Sequence, residues 1–299
     1  MLYQHLGVPG IFALTGVLAV LAMFIVAFFI PDPAINRFHT DTEASRKHLG
    51  EVLRNKDLLR LDFGIFSLHA ILMSVFMQVP LLLRDNGLVA EQHWQVYLPV
   101  MLIAFVLMIP AIIVAETKSR IKQVMLVAIA LAALGQSALL LFHGSILSIA
   151  AALLLFFAAF NVLEATLPSL ISKTAPLAAK GTAMGVYSSV QFLGAFFGAF
   201  MGGLLMQHVG GNAVLIFAII LLLLWLLVAS TMRTPAAVRT RLYALPAMDE
   251  ASARMLQQRL AQLRGVTEAM VVAAEQMASL KVQLGGFDEA SVEQLIKGA

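Results

Sequence analysis

The chain has 299 residues, 60% of them hydrophobic and 12% charged, with a mean hydropathy of +0.89. Soluble domains carry roughly 25% charged residues, so an ordinary water-soluble globule is excluded. There is no cysteine, which removes disulfides, Cys-ligated zinc, iron–sulfur clusters and thiol catalysis. The net charge of +3 comes from basic residues scattered through short loops, not from a stripe of the kind that grips nucleic acid.

A bilayer core of about 30 Å needs roughly 20 apolar residues as helix. Seven stretches meet this, at 10–30, 61–83, 95–115, 122–143, 146–171, 183–206 and 212–232. All seven are predicted to be helices, because an open sheet edge in lipid leaves backbone groups unpaired. The first stops at Pro31-Asp-Pro33 and is no cleavable signal peptide, since it lacks a basic leader and its apolar run is too long. The resulting division is a helix at 1–30, a linker at 31–60, six helices over 61–232, a second linker at 233–240 and a small domain at 241–299.

Lysines and arginines set the orientation. Alternate loops carry eleven against one, with Arg84 alone on the sparse side. This predicts that the 31–60 loop and the C-terminal domain lie in the cytoplasm and the N-terminus outside. An odd number of spans with an outside start makes Met1-Leu-Tyr-Gln-His-Leu-Gly7 read like the end of an outer loop. The expectation is therefore the back portion of a longer chain.

Charge inside a span is expensive, so it marks function by default. Glu164 is the one charge well inside any span, while Asp62 and Glu116 sit at predicted cytoplasmic ends. Asn161 lies three residues before Glu164 on the same helical face. Counted at 1.5 Å per residue, Glu164, His69 and Gln191 all lie about 12 Å in from the cytoplasmic side. A carboxylate, an imidazole and two amides would then form one polar layer that handles protons or substrate. Hydrogen bonds that only tie helices together are the plainer use of the same residues. Gln78 and Gln136 are read the same way, with packing favoured, and Pro80, Pro99, Pro110 and Pro168 either kink spans or end them.

Gly194, Gly198 and Gly202 recur at four-residue spacing, which lets two helix backbones approach. The expectation is a packing seam with no obvious partner in this chain. In the loop Glu116-Thr-Lys118-Ser-Arg120-Ile-Lys122, a carboxylate at one helix end and cations at the start of the next could latch neighbours and gate. A membrane anchor made of three cations explains the loop equally well.

The tail carries 8 Lys/Arg and 7 Asp/Glu from Arg233 onward. It predicts a strand at 241–247, then a helix capped by Asp249 with Ala253, Leu256, Leu260 and Leu263 inward and Gly265 as its stop. Strands follow at 266–274 and 277–284. In the latter, Ala278, Leu280, Val282 and Leu284 alternate with polar residues, the pattern of a half-buried strand. Asp288 caps a last helix with Val292, Leu295 and Ile296 inward. The order β-α-β-β-α is a ferredoxin-like α+β half-sandwich.

Leu167-Pro-Ser-Leu-Ile-Ser-Lys173, Lys180-Gly-Thr-Ala-Met-Gly-Val-Tyr-Ser-Ser189 and Gln191-Phe-Leu-Gly194 resemble the tenth and eleventh helices of major facilitator transporters. More narrowly they resemble the bacterial YajR-like members. Phe63-Gly-Ile, His69-Ala-Ile-Leu-Met-Ser74, Glu91-Gln-His-Trp94 and Phe160-Asn-Val-Leu-Glu-Ala165 are similar to that family too. The resemblance implies twelve helices in two halves, with this chain supplying helices six to twelve and 31–60 as the central linker. It implies a bacterial inner-membrane, proton-coupled exporter of a small molecule working by alternating access. The lipid bilayer, the substrate, protons and either a missing N-terminal half or another copy of the chain would be its partners.

The tail order also resembles heavy-metal-associated domains, but aligning on Arg264-Gly265-Val266 puts Asp249 and Ser252 where those carry cysteines. Copper or zinc handling is unsupported on that donor set. No cofactor, metal site or enzyme activity is expected: the chain has neither a phosphate loop with its lysine nor a zinc-type histidine pair. Two alternatives stand beside the transporter. One is a non-transporting half. The other is a seven-helix receptor, whose retinal-binding form would need a lysine that 212–232 lacks.

Overall fold

The structure is a computed structural model that describes residues 2–31, 46–234, 238–283 and 286–297. Residues 32–45 of the 31–60 linker, the middle of 233–240 and Leu284 of the last expected strand lie outside the described residues. Among the described residues eight α-helices come first: α1 (Leu2–Phe29), α2 (Arg46–Val52), α3 (Lys56–Asp85), α4 (Trp94–Thr117), α5 (Ile121–Leu141), α6 (Ile146–Thr174), α7 (Lys180–His208) and α8 (Gly211–Ser230). Among the described residues seven of these are long and apolar enough to cross a membrane, all but the short α2. Pro80, Pro99, Pro110 and Pro168 all lie inside these helices and end none of them.

Local chemistry starts the helices. Asn55 accepts the Asp57 and Leu58 backbone N–H groups at the head of α3, and Ser145 and Ser148 form a reciprocal capping box at the head of α6. None of the side chains described in α1 is buried. From Val8 to Phe29 it is apolar all round but for Thr15, as a helix facing lipid or other helices must be. Helices α3 to α8 form one bundle, in which α3 packs on α7, α8 and α6, and α5 and α4 pack on α6. The buried side of this bundle holds Leu61, Ile65, Leu68, Ile71, Phe156 and Trp225, and Trp225 lies so close that a Cβ on Gly64 would sit 2.8 Å from its Nε1.

The closest approach is between α7 and α3. A Cβ added at Gly194 would stand 2.3 Å from the Phe66 carbonyl oxygen, one at Gly198 2.0 Å from that of Ala70, and one at Gly202 2.8 Å from the Cα of Ser74. The expectation of a seam without a partner in the chain is corrected here, because its partner is α3. Sequence spacing marks a small-residue stripe but does not say which helix lies against it.

After the bundle come β1 (Val238–Ala244), α9 (Glu250–Ala261), β2 (Val266–Val272), β3 (Met277–Gln283) and α10 (Glu289–Lys297). The sheet order is β1-β3-β2, antiparallel throughout. Leu256, Leu260, Ala278, Leu280, Val282 and Val292 form a second core, separate from that of the bundle. The first strand lies three residues earlier than the 241–247 expected. Its register runs from Val238 opposite Gln283 to Ala244 opposite Met277, and Pro246, which has no N–H to give, stands just beyond it. Backbone pairing does not care that Arg239 and Arg241 are polar, and the expected boundary had relied on side chains. Strand β3 also differs from the half-buried strand expected, since Ser279 and Lys281 on its polar face are buried too. That face is covered by the end of the helical bundle, where the Lys281 ammonium donates to the Ala175 carbonyl.

The glycine seam generates a test. Gly198→Ala forces a methyl into the Ala70 backbone, and overpacking of this kind costs about 1–3 kcal/mol. The thermal midpoint of the purified protein is expected to fall clearly. Gly203→Ala, whose nearest neighbour would be the Met77 methyl at 4.0 Å, is expected to leave it unchanged or higher. Equal effects at the two positions would contradict the seam.

Candidate functional site

Three helices bring His69 (α3), Glu164 (α6) and Gln191 (α7) together. The Gln191 Nε2 lies 2.8 Å from His69 Nε2 and 3.4 Å from Glu164 Oε1. His69 Nε2 and Glu164 Oε2 are 3.9 Å apart, too far for a hydrogen bond between them. The amide has two donors, so in this arrangement one serves the imidazole and the other the carboxylate. His69 Nε2 is then the acceptor and the ring proton sits on Nδ1. That Nδ1 and Glu164 Oε2 are both buried with no hydrogen-bond partner. The Glu164 side chain as a whole is 38% exposed and that of His69 13%, so the glutamate is partly open while the imidazole is closed in.

Asn161, half-buried one turn earlier on α6, is not part of this cluster. Being on the same face at three-residue spacing put it at the right azimuth but a turn away along the axis. Two residues that sequence reasoning passed over or left at a helix end extend the site instead. Tyr187 precedes Gln191 by one turn on α7 and is 3% exposed, with its hydroxyl unpartnered. It lies within electrostatic reach of both Glu164 and Asp62. Asp62, two turns before His69 on α3, is 5% exposed with both carboxyl oxygens buried and unpartnered. A polar track thus runs from the middle of the bundle towards the end rich in lysine and arginine. Tyr187 could have been found by its spacing from Gln191, but an aromatic residue in an apolar helix reads as packing.

Two further polar candidates lie elsewhere in the bundle. A Cβ on Gly211 would meet the Gln78 amide at 2.0 Å, so Gln78 lies against the head of α8. Gln136 is fully buried on α5 with both amide atoms unpartnered.

The loop 116–122 differs from the latch expected. Glu116 pairs with Lys173 at the end of α6, at 2.7 and 2.9 Å, and accepts from the Ser169 hydroxyl at 3.1 Å. Its partner is therefore on α6, not among Lys118, Arg120 and Lys122. Lys122 donates to the Ser230 carbonyl at 3.0 Å and to the Met232 carbonyl, closing the end of α8, where a cation is favoured. A lysine's long stem reaches whichever helix end is nearest in space, and loop sequence alone does not give that.

A six-helix bundle with a buried polar cluster, preceded by a separate apolar helix, is the architecture of a polytopic membrane protein. The family model of the Major Facilitator Superfamily matches residues 1–199 and 101–247, and the chain belongs to that superfamily. It is 36% identical over 296 residues to the inner membrane transport protein YajR of Escherichia coli (strain K12), covering 99% of this chain and 65% of that protein. It is 30% identical over 199 residues to the uncharacterized transporter BU466 of Buchnera aphidicola subsp. Acyrthosiphon pisum, covering 66% of this chain and 51% of that protein. A further uncharacterized transporter, from Buchnera aphidicola subsp. Baizongia pistaciae, is 27% identical over 72% of this chain and 55% of its own length. The chain spans between about half and two thirds of the length of these curated relatives. Family membership sets the seven-helix receptor alternative aside.

The unpartnered Tyr187 hydroxyl gives a prediction. Leaving a buried polar group unsatisfied costs about 1–3 kcal/mol. Tyr187→Phe is therefore expected to leave thermal stability unchanged or raise it by about 1 kcal/mol. A fall in the thermal midpoint would mean that the hydroxyl holds a partner.

Proposed function

We propose that the chain works in a secondary active transporter of the bacterial inner membrane, exporting a small molecule in exchange for protons by alternating access. The observation that supports this reading is the His69–Gln191–Glu164 cluster: two titratable side chains on different helices, joined by one amide, with the Glu164 side chain partly exposed. A carboxyl at this depth is costly unless it is used. Glu164 takes up and releases the proton at its exposed flank. Gln191 reads the state of both neighbours, because its amide donates to a neutral imidazole but must turn its oxygen to face a protonated one. His69 protonation and Gln191 rotation are thereby coupled, and rotation withdraws a donor from Glu164. The α3–α7 seam, packed backbone to backbone, lets such a change pass between helices as a rigid-body shift.

The basic end of the bundle faces the cytoplasm in this reading, with the C-terminal domain on the same side. A fluorescent reporter that matures only in the cytoplasm is expected to light when fused to the C-terminal domain and stay dark when inserted in the 86–93 loop. The opposite pattern would reverse the orientation and with it the direction of transport.

Proton coupling is tested on the transporter as its source membrane holds it, whether one chain or several. In vesicles, Glu164→Gln is expected to lower substrate-driven proton movement at least tenfold while substrate still binds. His69→Gln is expected to weaken it less and to shift its dependence on pH. Unchanged proton flux in Glu164→Gln would remove Glu164 from the mechanism.

A further inference from the structure

Between the sheet and the bundle lies a cleft of about 650 Å³ that the transport reading does not use. Lys173 and Lys180 line it from α6 and α7, and Arg239 and Lys281 from β1 and β3, with the hydroxyls of Ser172 and Thr240 beside them. Two of the four cations are answered. Lys173 pairs with Glu116, which also lines the cleft, and Lys281 stands 3.6 Å from Glu268. Lys180 and Arg239 have no ion pair among the described residues, although Arg239 is near enough to Glu116 to feel its charge.

Lys281 is the informative residue. It is only 6% exposed, yet it is a lysine. Its ammonium has three donors; one goes to the Ala175 carbonyl and one faces Glu268, which leaves a third for the cleft. Burial holds this ammonium below its usual range, Glu268 opposes that, and the charge of Lys180 adds to it. Two cations that repel each other across an open, hydroxyl-lined space are stabilised by an anion placed between them. Ammonium, guanidinium and hydroxyl donors together are the set that binds phosphate oxygens.

We infer that the cleft between the C-terminal sheet and the ends of α6 and α7 is a binding site for a phosphate group, held by Lys180, Arg239 and Lys281. It can come from a phosphate-bearing solute or from the headgroup of an anionic lipid, since the cleft sits at the ends of membrane-length helices. Bound there, the group ties β1 and β3 to the bundle and makes the docking of the C-terminal domain depend on ligand.

The full chain is purified in detergent and dialysed against radiolabelled inorganic phosphate. In parallel, it is taken by native mass spectrometry from vesicles of phosphatidylglycerol or of phosphatidylcholine alone. Saturable binding of phosphate assigns the site to a free solute, and selective retention of phosphatidylglycerol assigns it to a headgroup. In either case the Lys180→Gln, Arg239→Gln double variant is expected to lose at least tenfold in affinity, or to lose the retained lipid. Arg254→Gln, on the exposed side of α9, is expected to bind as the parent does. Neither Lys180 nor Arg239 holds a side-chain hydrogen bond among the described residues, so neutralising them breaks no contact, and an unchanged thermal midpoint checks this. If neither probe binds, or if the double variant binds as well as Arg254→Gln, the inference is overturned.

Discussion

The backbone contact between α3 and α7 is the constraint on which the rest of the site depends. Tyr187, Gln191, Gly194, Gly198 and Gly202 follow one stripe of α7 at three- and four-residue spacing. Where that stripe is glycine, the helix presses on Phe66, Ala70 and Ser74 of α3 with no side chain between. Where it changes to glutamine and tyrosine, the same alignment carries those groups into reach of α3 and α6. The 2.8 Å approach of Gln191 to His69 is thus a consequence of glycines one and two turns further along. In lipid there is no hydrophobic drive between apolar helices, so contact of this kind comes from close packing and from polar groups that meet.

That alignment also explains why so many polar atoms in the bundle have no partner. His69 Nδ1, Glu164 Oε2, the Tyr187 hydroxyl and both Asp62 oxygens are buried and unpaired. These four side chains sit along one track, while the Gln136 amide and the Tyr97 hydroxyl, also buried and unpaired, lie outside it. A bundle built only for stability would pair or discard them. Unpaired buried polar groups cost stability, and departures of that kind from a well-satisfied core gather at functional sites.

At the basic end the loops and the C-terminal sheet share one electrostatic problem. Four cations from two separately cored units converge on a single cleft, and only part of their charge is answered by Glu116 and Glu268. Contacts across this junction are few but specific, including the Leu177 backbone N–H to Glu268 at 2.8 Å and the Lys281 ammonium to the Ala175 carbonyl. Polar junctions of this sort let domains move relative to one another, so charge in the cleft is well placed to govern whether the domain stays docked.

By itself the sequence determined the membrane class, the seven apolar helices, the order of the tail elements and the layer at which His69, Glu164 and Gln191 would lie. Those features rest on composition, period and rise per residue, which are local and additive. The motifs from Phe63 to Gly194 also carried the family. Tertiary structure alone decided the partners: that the glycine seam faces α3, that Glu116 pairs with Lys173, that Lys122 closes α8, and that Asn161 stays outside the cluster while Tyr187 and Asp62 line up with it. It also moved the first strand to Val238–Ala244 and buried the polar face of β3. Each of these depends on which elements come together across tens of residues, and long side chains and backbone pairing settle that in space, with no period along the chain to announce it.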